Sequence, residues 1–197
     1  MNRAKNNSRR ISRRPALPKL NMGQFTANPH YCPETQSKLC SSSNSSRSSS
    51  PGSSSPARIH DECNIYLGSE QDALDKDFID TENIKHILSI QSWEIKDKLA
   101  GINYHFVKAA DNSEQDLKSK FESICDFLKQ HENERVLVHC QAGISRSATA
   151  CLAYLMKEKN MTLDSSFVEL KKRRDIVCPN FSFLGQLKCW EQEIMAC

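Results

Sequence analysis

No Cys-x-x-Cys pair occurs among the nine cysteines of this 197-residue chain, and they fall into no even, clustered framework. That spacing argues against a disulfide scaffold and against a zinc site, and suits a reducing compartment. No metal or other cofactor is therefore expected. Long apolar runs are also missing. None approaches the roughly 18 residues needed to cross a bilayer, and the first thirty residues hold no uninterrupted apolar core of the secretory-leader kind. A cytoplasmic or nuclear location, or both, is the expectation, with no membrane as partner. Acidic residues are scarce at the start: residues 1–58 carry ten Lys/Arg and a single acid, Glu34, for +9. Residues 59–197 carry seventeen Lys/Arg against twenty-three Asp/Glu, for −6. The overall charge of +3 thus averages a basic tail and a mildly acidic domain.

What is present divides at about the same place. Residues 41–55 contain eleven serines; such a segment has almost nothing to bury and cannot offset its ordering entropy. Residues 1–57 are expected to be a disordered basic, Ser-rich tail, and residues 58–197 a folded domain. In the domain, 64–69 reads as a strand and turn, and 84–90, 104–108 and 135–139 as strands. Between Ser113 and His131 the apolar positions Leu117, Phe121, Ile124, Cys125 and Leu128 fall on one helical face, predicting a helix there. Further helices are predicted over 147–157 and 162–173, with another between 180 and 196. Strands alternating with helices imply an α/β fold with a central, largely parallel sheet flanked by helices. Strand 135–139, apolar on both faces, belongs in its middle.

The stretch Val136-Leu-Val-His-Cys-Gln-Ala-Gly-Ile-Ser-Arg-Ser147 holds the chemistry. A strand, a loop of small residues and a helix N-terminus make an anion site, since loop N–H groups can converge inward and the helix dipole adds positive potential. Arg146 at the helix mouth offers a planar fork for two oxygens of one phosphate. Cys140 lies at the floor, where the same field favours the thiolate that attacks phosphorus.

His139-Cys-Gln-Ala-Gly-Ile-Ser-Arg-Ser147 resembles the HCxxxxxR[S/T] signature of the cysteine-based protein tyrosine phosphatase superfamily. The AGISRS variant, followed by Ala153-Tyr-Leu-Met156, resembles its dual-specificity branch. Asn64-Ile-Tyr-Leu-Gly-Ser69 is similar to that branch's opening strand, and Arg174-Asp-Ile-Val-Cys-Pro-Asn-Phe-Ser-Phe-Leu-Gly-Gln-Leu187 to the closing segment of MAP kinase phosphatases. The resemblance covers about residues 59–195 and implies a fold of the protein tyrosine phosphatase type. It implies Cys140 as nucleophile and Arg146 as phosphate clamp, with Gln141, Ala142, Gly143, Ile144 and Ser145 as the phosphate cradle. Ser147 matches the hydroxyl that steadies the departing thiolate, and His139 the residue that holds the loop and helps activate the thiol. The family's general acid lies some thirty residues before the cysteine; Asp111, twenty-nine upstream, fits, with Asp116 as the fallback.

The activity so implied is a protein phosphatase acting on phosphotyrosine and phosphoserine/threonine in a phosphorylated protein, a MAP kinase first among them, and not on nucleic acid. A kinase anchor with little turnover and a dual-specificity enzyme for another phosphoprotein stay open as alternatives. A tyrosine-only phosphatase fits less well, because Trp93 is not followed by Pro-Asp. A phosphoinositide phosphatase would place lysines within the loop, which has none. Two departures stand out: the large rhodanese-like domain common in MAP kinase phosphatases is absent from this sequence, and Ala109-Ala-Asp111 lacks the usual hydrophobic-Pro-hydrophobic lead-in. In the tail, Arg13, Arg14, Leu17, Leu20 and Met22 resemble a MAP-kinase docking peptide, basic residues followed by spaced apolar ones. Nuclear import, a presequence or an uncommitted basic tail are the competing readings there. Lys171-Lys-Arg-Arg174 reads as a solvated helix end, and Cys125, Cys151, Cys178 and Cys189 as core fillers.

Overall fold

A computed structural model of the chain describes residues 55–196. The Ser-rich segment up to residue 54 and the docking candidates Arg13, Arg14, Leu17, Leu20 and Met22 lie outside the described residues.

Five strands form one sheet in the order β1-β2-β5-β3-β4. Strand β1 (Ala57–Arg58) pairs antiparallel with β2 (Ile65–Gly68). Strands β2, β5 (Arg135–His139), β3 (Ile84–Gln91) and β4 (Asn103–Lys108) run parallel to one another. The sheet is thus the largely parallel one expected, with β5 at its centre. Its period-2 pattern explains why. Val136 and Val138 point into one apolar cluster and Leu137 into another, so β5 has no face for water.

On the first face, α3 (Phe121–Gln130), α4 (Arg146–Glu158), α5 (Leu163–Arg173) and α6 (Phe181–Ala196) build the larger core with Leu67, Leu88 and Ile90. Helix α4 is its axis: every residue from Arg146 to Met156 is buried, as a helix packed on all sides requires. On the other face, two short helices, α1 (Glu70–Leu74) and α2 (Lys76–Thr81), cover Tyr66, Ile87 and Leu137 with Ala73 and Ile79. No periodic pattern predicts these helices, because one turn and a half carries too few apolar positions to register. Their caps specify them instead. Ser69 and Asp72 form a capping box, and the Asp75 carboxylate accepts from the Phe78 N–H at 3.1 Å.

The helix predicted from Ser113 to His131 begins only at Phe121, preceded by a single 3-10 turn at Lys118–Lys120. Side-chain acceptors take the N–H groups ahead of it. Asn112 Oδ1 accepts from Glu114 and Gln115, Asp116 Oδ1 from Ser119, and Gln186 Oε1 on α6 from Leu117 and Lys118. The apolar face was nonetheless correctly read, for Leu117, Phe121, Ile124, Cys125 and Leu128 are all fully buried.

Phe121 also meets Trp190 edge-on, ring centroids 5.8 Å apart, and so joins α3 to α6. Phe121→Ala should lower unfolding free energy by about 3–5 kcal/mol in urea titration, with the denaturant slope unchanged. A loss under about 1 kcal/mol would mean that this face of α3 does not carry the core.

Candidate active site

Strand β5 ends at His139, and the chain from Cys140 to Ser145 turns into α4. Each carbonyl of that loop is held from outside. Gln141 O accepts from the Glu70 N–H at 3.2 Å, and Ile144 O from the Cys178 N–H at 2.9 Å. Ala142 O and Gly143 O accept from the Arg174 guanidinium at 3.5 and 3.2 Å. Ser145 O accepts from the N–H and hydroxyl of Thr149, both at 2.8 Å. In a planar peptide the N–H points opposite its carbonyl. Turning these carbonyls outward therefore turns the N–H groups of 142–146 inward, toward the space above Cys140.

Two further features fix that geometry. Gly143 has φ +69, and a Cβ there would come within 2.5 Å of Gly68 O, so only glycine lets the loop lie this close to β2. No side chain caps the N-terminus of α4, whose N-cap is Ser145. The first N–H groups of a thirteen-residue helix are thus left for a ligand beside the loop amides.

The structure brings Cys140, Arg146, Ser147 and Asp111 to this one place. Cys140 is 1% exposed, and Ser147 Oγ donates to its Sγ at 3.1 Å. Arg146 Nη1 donates to Ala109 O at 3.3 Å, while its buried Nε makes no hydrogen bond and lies 3.5 Å from Asp111 Oδ2. A buried guanidinium with an uncommitted donor suits an incoming anion. Asp111 Oδ1 accepts from Ser145 Oγ and from Asn180 Nδ2, both at 2.8 Å, which leaves Oδ2 facing Arg146 at the rim. The carboxyl of Asp111 does not cap a helix. Asn112 makes that local turn, and Asp116 Oδ1 accepts from the Ser119 N–H inside the 3-10 turn. His139 lies behind the loop: Nε2 meets Ser89 Oγ at 2.7 Å and Nδ1 the Cys140 carbonyl at 3.3 Å.

Three residues of this arrangement are not among the sequence-derived site residues. Arg174, read as part of a solvated helix end, is 1% exposed and ties down the loop. Asn180 caps α6 through Phe183, and it also holds Asp111 and accepts no other role from the sequence pattern. Ser89, on β3, orients His139. Arg174 and Asn180 fall in the 174–187 segment, so a signal for both was available; Ser89 carries none.

The family model described as the dual specificity phosphatase catalytic domain matches residues 65–193. Dual specificity protein phosphatase 1-A of Xenopus laevis is 41% identical over 134 residues, covering 67% of this chain and 36% of that protein. Dual specificity protein phosphatase 4 of Gallus gallus is 41% identical over 135 residues, with 67% of this chain and 36% of its own length covered. The chain thus matches about a third of the length of these relatives. Among solved structures, the human tyrosine phosphatase-like serine/threonine/tyrosine-interacting protein superposes with a TM-score of 0.66 at 26% identity, over 71% of this chain and 97% of that one.

Burial holds the His139 imidazole below its ordinary pKa, outweighing the raising influence of the Cys140 carbonyl, Glu70 and Asp72. The unfolded chain therefore takes up a proton at this position before the folded protein does. Stability from this group is complete above about pH 6.5 and is lost as pH falls through the depressed value. Melting temperature should drop between pH 7.5 and 5.5, and His139→Asn should make that decline shallower. An unchanged decline in the variant would assign the pH dependence to other groups, His105 first, which burial also lowers.

Proposed function

The chain belongs to the dual-specificity phosphatase family, and from that membership we propose that it is a protein phosphatase. It hydrolyses phosphotyrosine and phosphoserine/threonine through a cysteinyl-phosphate intermediate and acts on a MAP kinase. The observation that carries this reading is the ring of outward-held carbonyls around Cys140, which leaves the N–H groups of 142–146 for the oxygens of a phosphate.

In the first step Cys140 Sγ attacks phosphorus, forming the S–P bond as the ester P–O bond breaks. Arg146 and the loop N–H groups take the charge on the equatorial oxygens. The leaving oxygen of a serine, threonine or tyrosine needs a proton, and Asp111 supplies it from Oδ2, since Oδ1 is occupied by Ser145 and Asn180. In the second step water attacks phosphorus, Asp111 takes its proton and the S–P bond breaks. The hydroxyl of Ser147, already directed at Sγ, stabilises the thiolate that leaves. Arg174 and Asn180 act as positioning residues, one on the loop and one on the acid.

The MAP kinase assignment rests on the resemblance of 174–187 and on the tail, whose basic residues precede Leu17, Leu20 and Met22. The tail carries +9 through residue 58, the complement of an acidic docking patch on a partner.

Cys140→Ser should abolish phosphate release from a doubly phosphorylated MAP kinase peptide while binding persists; retained turnover rejects the covalent route. Asp111→Ala should slow phosphotyrosine hydrolysis by about 10²–10⁴ and hydrolysis of an activated aryl phosphate far less. Equal losses on both substrates would move the acid elsewhere. Deleting residues 1–22 should weaken binding to the intact phosphorylated kinase without changing turnover of a short peptide. Unchanged kinase binding removes the tail from recognition.

A further inference from the structure

At the end of the sheet away from Cys140, the side chains of His86, His131 and Glu134 bring together one ligand atom each, all within 4.8 Å of one another. They come from the irregular start of β3, the residue after α3 and the residue before β5. Strand β5 runs between Glu134 and Cys140, and the six residue steps separate the two places by about 20 Å at 3.3 Å per residue. The cluster therefore has no part in the chemistry at Cys140.

His86 forms its floor. It is 3% exposed, yet neither Nδ1 nor Nε2 makes a hydrogen bond. Nε2 lies 3.2 Å from Glu134 Oε1, close enough for attraction. A buried polar ring left this way is rare in folded proteins unless something else completes it. His131 Nδ1 lies 3.6 Å from the same carboxylate oxygen. Its ring stacks on that of His86, centroids 3.7 Å apart. Glu134, its side chain 52% exposed, forms the mouth through which an ion can enter.

We propose that His86, His131 and Glu134 form a binding site for one divalent cation, with Zn²⁺ as the preferred ion and the fourth position taken by water. Two imidazoles and a carboxylate are zinc ligands by type. With ligands about 2.0–2.1 Å from the metal, a tetrahedral site has ligand–ligand edges of about 3.3–3.4 Å, and the two edges to Glu134, 3.2 and 3.6 Å, bracket that value. Binding would tilt the partly exposed His131 ring off His86 while its Nδ1 stays beside Glu134, so that both lone pairs converge. The absence of a Cys-x-x-Cys pair led to an expectation of no metal. Ligands drawn from three separate elements leave no such spacing to read. A bound ion would clamp β3, the end of α3 and the entry to β5, and so stabilise the sheet without touching substrate.

The test uses full-length Cys140→Ser protein, which removes the buried nucleophile as a competing ligand, with Co²⁺ as the spectroscopic probe. One equivalent should bind with d–d absorption and no sulfur-to-cobalt charge-transfer band, and Zn²⁺ should displace it. Zn²⁺ at about a hundredfold excess over its Kd should raise the melting temperature by about 5–10 °C. Glu134→Gln, at an exposed position, and His131→Asn should each weaken binding by more than about tenfold while melting normally without metal. A sulfur charge-transfer band, no thermal shift with Zn²⁺, or equal affinity in both variants would overturn the site.

Discussion

The carbonyls from Gln141 to Ser145 all point away from Cys140, each held by a donor that comes from somewhere else in the fold. Those donors are the first residue of α1, the side chain that follows α5, the segment before α6, and α4 itself. Peptide planarity converts this outward anchoring into inward N–H groups. A short loop therefore becomes a concave set of donors because several distant elements agree on its shape. Without them, the amides of a glycine-containing loop would be free to turn toward water, and the orphan donors of α4 would have no neighbours to act with. Gly143 completes the constraint, since its positive φ and its contact with Gly68 admit no side chain.

The sheet supplies the footing for that loop. With both faces of β5 packed against apolar layers, its C-terminal tip is held in position and in direction. Parallel α/β sheets offer ligands the crevice beyond the carboxyl ends of their strands. Here β3 and β5 end side by side, and Ser89, paired in register with His139, orients the imidazole below the loop. Asp111 arrives from the segment after β4, where the Ala109 N–H bonds to the Gln91 carbonyl, and its Oδ2 lies 3.5 Å from Arg146 Nε. Sheet order thus sets the meeting of residues far apart in sequence. Of the two guanidinium groups at the loop, Arg146 faces the Asp111 carboxyl and Arg174 lies at the back, on the Ala142 and Gly143 carbonyls.

Much of this was legible in the residues. The long elements were, because an apolar face of several turns or a strand with two buried faces leaves a pattern that local sequence reports. The loop was legible as well, since Cys140, Arg146 and Ser147 lie within eight consecutive residues and carry a specific signature. The short helices α1 and α2 were not, having no pattern longer than their caps. The early start predicted for α3 failed for a different reason: Gln186, sixty-eight residues beyond Lys118, takes the N–H groups on which the helix would have begun. Arg174 was misread because a basic run at a helix end normally faces water, and only its burial shows that this arginine does not.

By itself, the sequence determined the parallel sheet with β5 at its centre and the thiol, guanidinium and hydroxyl that share the loop beyond it. These are local properties, fixed by side-chain type and by spacing along one stretch of chain. The tertiary structure alone decided which groups hold that loop open, how Asn180 and Ser145 bind one oxygen of Asp111 and leave the other facing Arg146, and that His86, His131 and Glu134 meet at the far end of the sheet. Each of these depends on contacts between elements distant in sequence. Such contacts follow from how helices and strands pack, and no periodicity along the chain encodes them.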